Sequence, residues 1–188
     1  MIEIRLHGRG GQGGVVACKI LANALYQDGK YAQAFPAFGV ERRGAPVQAF
    51  IRVDDSPIRL RCQIEHPDHL IVLDPTLLLT IPVTKGLKKG GIVLVNTEQS
   101  SESLGIPDGF HLVTVDANAI AVEHGLGTKS IPIVNTAILG AFAKATAIVG
   151  LEPLLNAVRE GVPSRQEENV AATREAYFET LSVEAEFV

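Results

Sequence analysis

Ile2-Glu3-Ile4-Arg5-Leu6-His7-Gly8-Arg9-Gly10-Gly11-Gln12-Gly13-Gly14-Val15-Val16 is the stretch that decides how this chain folds. An apolar-alternating run meets five glycines within seven residues, and a small-and-aliphatic run follows from Ala17 to Leu25. That order predicts a strand, a tight glycine turn and a helix. Such a turn leaves bare backbone N–H groups at a helix N-terminus, where the positive end of the helix dipole favours an anion such as phosphate. Side chains there would block close approach of a ligand or of another backbone. The same glycines also permit tight packing of helix on strand, and the residues alone leave both uses open.

Gly8, Gly10 and Gly13 fit G-x-G-x-x-G, the dinucleotide fingerprint. The dinucleotide reading needs an acid about 20 residues further on, at the end of the second strand, to hold a ribose hydroxyl. The second strand is expected at Lys30-Tyr31-Ala32-Gln33-Ala34-Phe35, and no Asp or Glu ends it. A general phosphate-binding turn is therefore a better reading than NAD binding.

The chain has 188 residues, a formal net charge of -4 and 46% hydrophobic residues. That length suits one domain, 1–188, with a sizeable core. The mild charge argues against nucleic acid or an anionic membrane as partner. No apolar stretch approaches the roughly 20 residues of a membrane span, and Glu3 and Arg5 stand where a signal peptide would be apolar. A cytoplasmic location is expected. Cys18 and Cys62 form no C-x-x-C pair, so neither a zinc site nor an iron–sulfur cluster is expected from this chain alone. Cys18 reads as a small buried hydrophobe and Cys62 as a strand residue.

Apolar runs alternate with helical patterns, which predicts an α/β fold: a Rossmann-like three-layer sandwich on a mostly parallel or mixed sheet. The first strand is expected at Glu3–His7 and the first helix at Gly13–Gln27, closed by Asp28-Gly29. Val47–Val53 alternates as a strand, and Ile58–Arg61 looks like its return in an inserted hairpin. His69–Asp74, Gly91–Asn96 and His111–Asp116 read as buried central strands. Asp74, Asn96 and Asp116 end them where open α/β sheets place ligands, and where helix N-caps also fall. Asn135–Val149 is a strongly apolar helix, buried at a partner surface or against the sheet. C-terminal helices follow at Leu151–Gly161 and Gln166–Leu181, with Ser164 and Glu167 fitting a capping box.

The second unusual segment is Phe35-Pro36-Ala37-Phe38-Gly39-Val40-Glu41-Arg42-Arg43-Gly44-Ala45-Pro46. Arginine binds phosphate and carboxylate in a bidentate way, so a loop at the sheet edge can bring Arg42 or Arg43 toward the glycine turn. Anion recognition, subunit docking and a solvated surface loop all remain open. Of the histidines, His7 precedes the turn, where it faces a ligand or bonds to backbone. None of His7, His66, His69, His111 and His124 has a ligand-like helical partner, so no metal site is expected.

Taken together, Gly8-Arg9-Gly10-Gly11-Gln12-Gly13 and Phe35–Pro46 resemble the G-x-G-G-Q-G and F-P-x-F-G-x-E-R-R-G-A-P motifs of the gamma subunit of 2-oxoacid:ferredoxin oxidoreductases. Asn135-Thr136-Ala137-Ile138-Leu139-Gly140-Ala141 resembles that family's N-x-x-x-L-G-A helix. Arg42 and Ala45-Pro46 tilt the resemblance toward the pyruvate type and away from 2-oxoglutarate relatives. The resemblance implies an oxidoreductase that decarboxylates a 2-oxoacid on thiamine diphosphate and magnesium. Electrons then pass through iron–sulfur clusters to ferredoxin or flavodoxin, and the acyl group goes to coenzyme A. It implies alpha, beta and delta (ferredoxin-like) partner chains that carry those cofactors, and a gamma chain inactive alone that aids assembly and coenzyme A handling. The site residues it suggests are Gly8, Arg9, Gly10, Gly11, Gln12, Gly13 and Gly14, with Arg42 and Arg43 as counter-charges. No catalytic residue is assigned. A stand-alone nucleotide- or coenzyme-A-binding module is the alternative from another class.

Overall fold

The computed structural model describes residues 1–37 and 42–180. Its organising strand is β1 (Ile2–Arg9). Period-two alternation sends Ile4 and Leu6 to one face of the sheet, where both are buried. The glycine turn leads into α1 (Gly14–Gln27), which closes at Asp28 with Gly29 in the left-handed region at φ 83. The chain then enters β2 (Tyr31–Pro36) and β3 (Pro46–Asp54).

β3 lies between β1 and β2, antiparallel to both, with Ile4 opposite Ile51 and Phe35 opposite Phe50. On the other side of β1, the strands β4 (His69–Val72), β5 (Ile92–Asn96) and β6 (His111–Val115) run parallel to it. The order is β2-β3-β1-β4-β5-β6, a mixed sheet whose connection reverses sides at β1. The expected hairpin therefore exists with a different partner. Ile58–Arg61 forms no strand, and β3 pairs back onto β2. β2, Tyr31–Pro36, with Ala32, Ala34 and Phe35, covers the free edge of β3 better than the charged Ile58-Arg59-Leu60-Arg61 could. Cys62 accordingly lies on exposed irregular chain, not in a strand.

The remaining elements are α2 (Leu77–Thr80), a 3-10 turn at Ser101–Leu104, α3 (Ala117–Glu123), the short strands β7 (Gly127–Thr128) and β8 (Ile131–Pro132), and the helices α4 (Ala137–Thr146), α5 (Leu151–Gly161) and α6 (Gln166–Glu179). The three layers are unequal. The main core joins one sheet face to α1, α3, α4, α5 and α6. On the other face, Leu70, Val72, Val93 and Val95 are covered by Leu77 of α2 with Val83 and Leu87 from irregular chain. Residues of α4 are buried on every side, Ile138, Leu139 and Phe142 completely. The helix faces the sheet and its sister helices, so it supplies no open partner surface.

Beneath β1 and β3 the second face is charged yet buried. Arg52 is 1% exposed, its Nε 2.8 Å from Glu3 Oε1 and its guanidinium 5.3 Å above the Phe35 ring. Arg5 donates from Nη2 to the carbonyls of Val83 and Lys85, and from Nε to His7 Nε2 at 3.0 Å. Buried charge survives there because partners replace the lost water.

The expected capping box is absent. Arg165, in the left-handed region at φ 53, precedes α6, and no side chain caps the helix. Glu167 reaches across to Arg159 of α5 at 2.8 Å instead, and Asn169 Nδ2 donates to the carbonyls of Ser164 and Arg165. A charged partner on the neighbouring helix outcompetes the local amide for the Glu167 carboxylate. The last part of the expected helix, at Leu181, lies outside the described residues.

Candidate functional site at the carboxyl edge of the sheet

Parallel strands and the helices that follow them leave a crevice where the connections reverse, and ligands of open α/β sheets collect there. Here that point lies beyond the ends of β1 and β4, and the glycine turn fills it. Arg9 N–H donates to Gln12 Oε1 at 2.7 Å, and Gln12 N–H donates to Arg9 O at 3.0 Å. Gln12 thus staples the bend with its own side chain.

The arginine loop closes on the turn through its backbone. Gly10 N–H donates to Ala45 O and Gly44 N–H to Gly10 O, each at 2.9 Å, which makes a parallel bridge between Gly10 and Arg43. A methyl at Gly10 would overlap the Arg42 carbonyl oxygen, so this approach requires glycine. Gly13, at φ 76, also needs it, since a Cβ there would sit 2.6 Å from Asn135 Nδ2. Gly14 lets α1 settle on Leu6, and Gly8 lies tight against Leu73. The glycines therefore serve internal packing, and an open donor set remains beside it. Among the described residues no acceptor meets the N–H of Gly11 or Gly13, and Gly14 and Val15 carry the orphan donors of the first turn of α1.

The three arginines differ in their freedom. Arg9 is committed: Nε lies 2.7 Å from Asp74 Oδ2, Nη2 donates to Thr76 Oγ1 at 2.7 Å and Nη1 to Gly44 O at 3.1 Å. Arg42 and Arg43 are exposed at the turn, and among the described residues neither guanidinium has a partner. Phe38, Gly39, Val40 and Glu41 of the same loop lie outside the described residues.

The strand-end polar residues also divide. Asp116 caps α3, accepting from Ala119 N–H at 2.9 Å. Asp74 makes a local turn with Thr76 while holding Arg9. Burial pushes the Asp74 carboxyl up, yet hydrogen bonds from Thr76 and Arg9 outweigh it and hold the group below the usual carboxylate range. Asn96 caps nothing. Its Nδ2 donates to Leu73 O at 3.0 Å and to Asn118 Oδ1 at 3.2 Å, and its Oδ1 is buried with no donor among the described residues. Asn135 is similar: Nδ2 reaches Gly13 O at 3.4 Å and Oδ1 is buried without a donor.

Two clefts flank these amides. One, about 290 Å³, is lined by Gly11, Gln12, Gly13 and Asn135 and roofed by the exposed Ile131 and Ile133 around β8. The other, about 520 Å³, is lined by Asn96, Asp116, Asn118 and Lys129. Asn118 lines both. Neither Asn118 nor Asn135 stands out in sequence as a site residue. For Asn135 the one available signal is its place at the start of the N-x-x-x-L-G-A helix, and its neighbour Thr136 is fixed by a 2.7 Å bond to Asn169 Oδ1.

His7 faces away from this edge. It is 1% exposed on the charged face, where burial, reinforced by Arg5, pushes its imidazole down to about 3. Among the described residues no group of three or more His, Cys, Asp or Glu is placed to hold a metal ion, and no helix is long and apolar enough to cross a membrane.

The chain is 54% identical to the pyruvate/ketoisovalerate oxidoreductases common subunit gamma of Thermococcus kodakarensis, over 98% of this chain and all of that one. It is 52% identical to pyruvate synthase subunit PorC of Methanosarcina barkeri, over 85% of each chain. Its structure matches that of pyruvate oxidoreductase subunit PORC from Thermotoga maritima with a TM-score of 0.81 at 38% identity, covering 96% of this chain and 97% of that one. The fold also recurs in 2-oxoglutarate:ferredoxin oxidoreductase from Magnetococcus marinus, with a TM-score of 0.68 at 21% identity, over 95% of this chain and 30% of that chain. The model of the pyruvate ferredoxin/flavodoxin oxidoreductase family matches residues 3–179, and the chain belongs to that family.

Proposed function

We propose that this chain is the gamma subunit of a pyruvate-type 2-oxoacid:ferredoxin oxidoreductase, and that it anchors the phosphates of coenzyme A within the assembled enzyme. The family membership and the names of its relatives support the first part. One observation carries the second: the bare N–H groups of the glycine turn adjoin the backbone of Arg42 and Arg43, two exposed arginines tied to that turn by the Gly10–Arg43 bridge. Backbone donors at a helix start and arginines are the two groups best suited to a diphosphate. Arg9 shapes the bend, since its guanidinium is spent on Asp74, Thr76 and Gly44.

In this reading, thiamine diphosphate, magnesium and iron–sulfur clusters reside on alpha, beta and delta chains, and supply decarboxylation and electron transfer to ferredoxin or flavodoxin. This chain holds the acyl acceptor by its charged middle, so that the thiol arm is presented to chemistry on a neighbouring subunit. The assembly works in the cytoplasm, without nucleic acid or membrane as partner, and residues 1–188 act as one domain.

Isothermal titration of the assembled complex tests the anchoring role. Arg43→Ala is expected to weaken coenzyme A binding about tenfold, the loss of one charge-assisted contact. Unchanged affinity removes Arg43 from that role.

A further inference from the structure

The phosphate anchor leaves the charged face beneath β1 and β3 unused. Arg5 and Arg52 are buried there on neighbouring strands, 7% and 1% exposed. The two share one carboxylate. Glu3 meets Arg52, whereas Arg5 has only two carbonyls and the imidazole of His7. That imidazole is neutral at pH 7, because burial pushes it down to about 3. Arg52 Nη1 is buried with no acceptor among the described residues. The face therefore holds a positive charge that its own acids do not balance, and solvent screens a buried charge weakly.

More positive charge lies above it. Cys62 Sγ accepts from Arg52 Nη2 at 3.6 Å, and Lys85 O accepts from Arg5 Nη2 at 2.6 Å. Gly86 lies so close to the Glu65 carbonyl that no side chain fits between them. These contacts lay residues 58–66 and 83–90 beside one another, over β3 and β1 and away from the glycine turn. The two stretches expose Arg59, Arg61, Lys85, Lys88 and Lys89. Lys88 is paired with Asp68. Among the described residues the other four have no ion pair, and Glu65 is the one acid of these stretches. The chain as a whole carries a net charge of -4, so this cluster runs against its average. Like charges gathered over an unbalanced buried cation repel one another until carboxylates meet them.

We propose that this face docks on an acidic surface of a partner chain, whose carboxylates meet Arg59, Arg61, Lys85 and Lys89. The proposal rests on the reading that the chain works inside an assembly. Two copies of this chain presenting the same face to each other would set cation against cation, which disfavours a symmetric pair.

Carbodiimide coupling, which joins an amine to a carboxylate in contact with it, tests the proposal on the assembled complex. Lysine acetylation is followed in parallel on the complex and on the isolated chain. Lys85 or Lys89 is expected to be recovered joined to Asp or Glu of another subunit, and both are expected to lose acetylation on assembly. Arg61→Glu combined with Lys89→Glu, both at exposed positions, is expected to weaken association with the partner chains by about tenfold at low salt and by less at high salt. Acetylation that is unchanged by assembly overturns the proposal and leaves the subunit reading standing. So does coupling to a second copy of this chain alone, or protection with no carboxylate coupled. A chain that joins no partner at any salt concentration overturns the subunit reading and the proposal with it.

Discussion

Arg9 and His7 stand two residues apart on one strand, and their environments set opposite tasks. Arg9 reaches water-facing polar groups at the strand end and fastens Asp74, Thr76 and Gly44 around the turn. Arg9→Ala should cost about 2 kcal/mol, since three contacts to a charged donor are lost from a partly buried site. A urea denaturation midpoint reads the loss, and a midpoint equal to that of the unaltered chain would show the clamp to be idle. His7 lies under the sheet with an imidazole that titrates near 3, against an ordinary value of 6.5. The unfolded chain then binds more protons than the folded one between those values, so stability falls as pH drops through that window. The loss reaches about 3 kcal/mol by pH 4. Asp74, held below its ordinary value, adds to the loss only below about pH 3.8. His7→Gln removes the first contribution and should flatten the stability profile between pH 6.5 and 4. Parallel profiles for the two proteins would assign the acid sensitivity to other groups.

Among elements, α4 and α6 approach closely enough for their backbones to touch. Gly140 lies against the backbone of Thr173, and a methyl there would overlap the Thr173 carbonyl oxygen. Two rigid helices cannot yield as a side chain does, so Gly140→Ala should cost about 3 kcal/mol and lower Tm by roughly 5–10 °C. A thermal melt within a degree of the unaltered protein would contradict that packing. The same pair carries Thr136, Asn169 and Thr173, whose hydrogen bonds fix the start of α4 and with it Asn135 above the turn. Site geometry on one edge of the sheet thus depends on helix packing behind it.

For the whole molecule, the Asn135–Val149 segment is buried against the sheet, the second of its two expected settings, and Phe35 packs on Phe50 with centroids 5.3 Å apart. The exposed large side chains include Leu79 at 87%, Phe178 at 68% and Ile131 at 64%. Ile131 borders the 290 Å³ cleft, and Leu79 lines a separate groove of about 150 Å³ with Pro75 and Leu104. Apolar side chains around a polar groove favour burial against another protein. The isolated chain is expected to self-associate in size-exclusion chromatography and to become a discrete species when partner subunits are added. A monodisperse monomer at tens of micromolar would count against that surface.

Local chemistry made much of this legible. The alternation of Ile4 and Leu6, the glycine run and the apolar strands at residues 69, 92 and 111 each follow from a few neighbouring residues and form close to where the sequence puts them, but the strand at 111, expected at the centre, is a half-buried edge strand, because strand order is set by the fold and not by local content. The motif pair around Gly10 and Arg43 likewise marked two segments that meet. Other features depended on distant contacts. β3 chose β2 because two sheet neighbours bury more than a charged return strand does. Glu167 left its expected cap for Arg159. Arg9 was captured by Asp74, 65 residues away, and Asn135 was lowered onto Gly13 from 122 residues away. Sequence by itself determined most of the segments that become strand, turn and helix, Ile58–Arg61 excepted, because backbone geometry and side-chain period are local. Only the tertiary structure decided which arginines stay free and which amide oxygens lack a donor, because partners for buried polar groups are supplied by whatever the fold brings alongside.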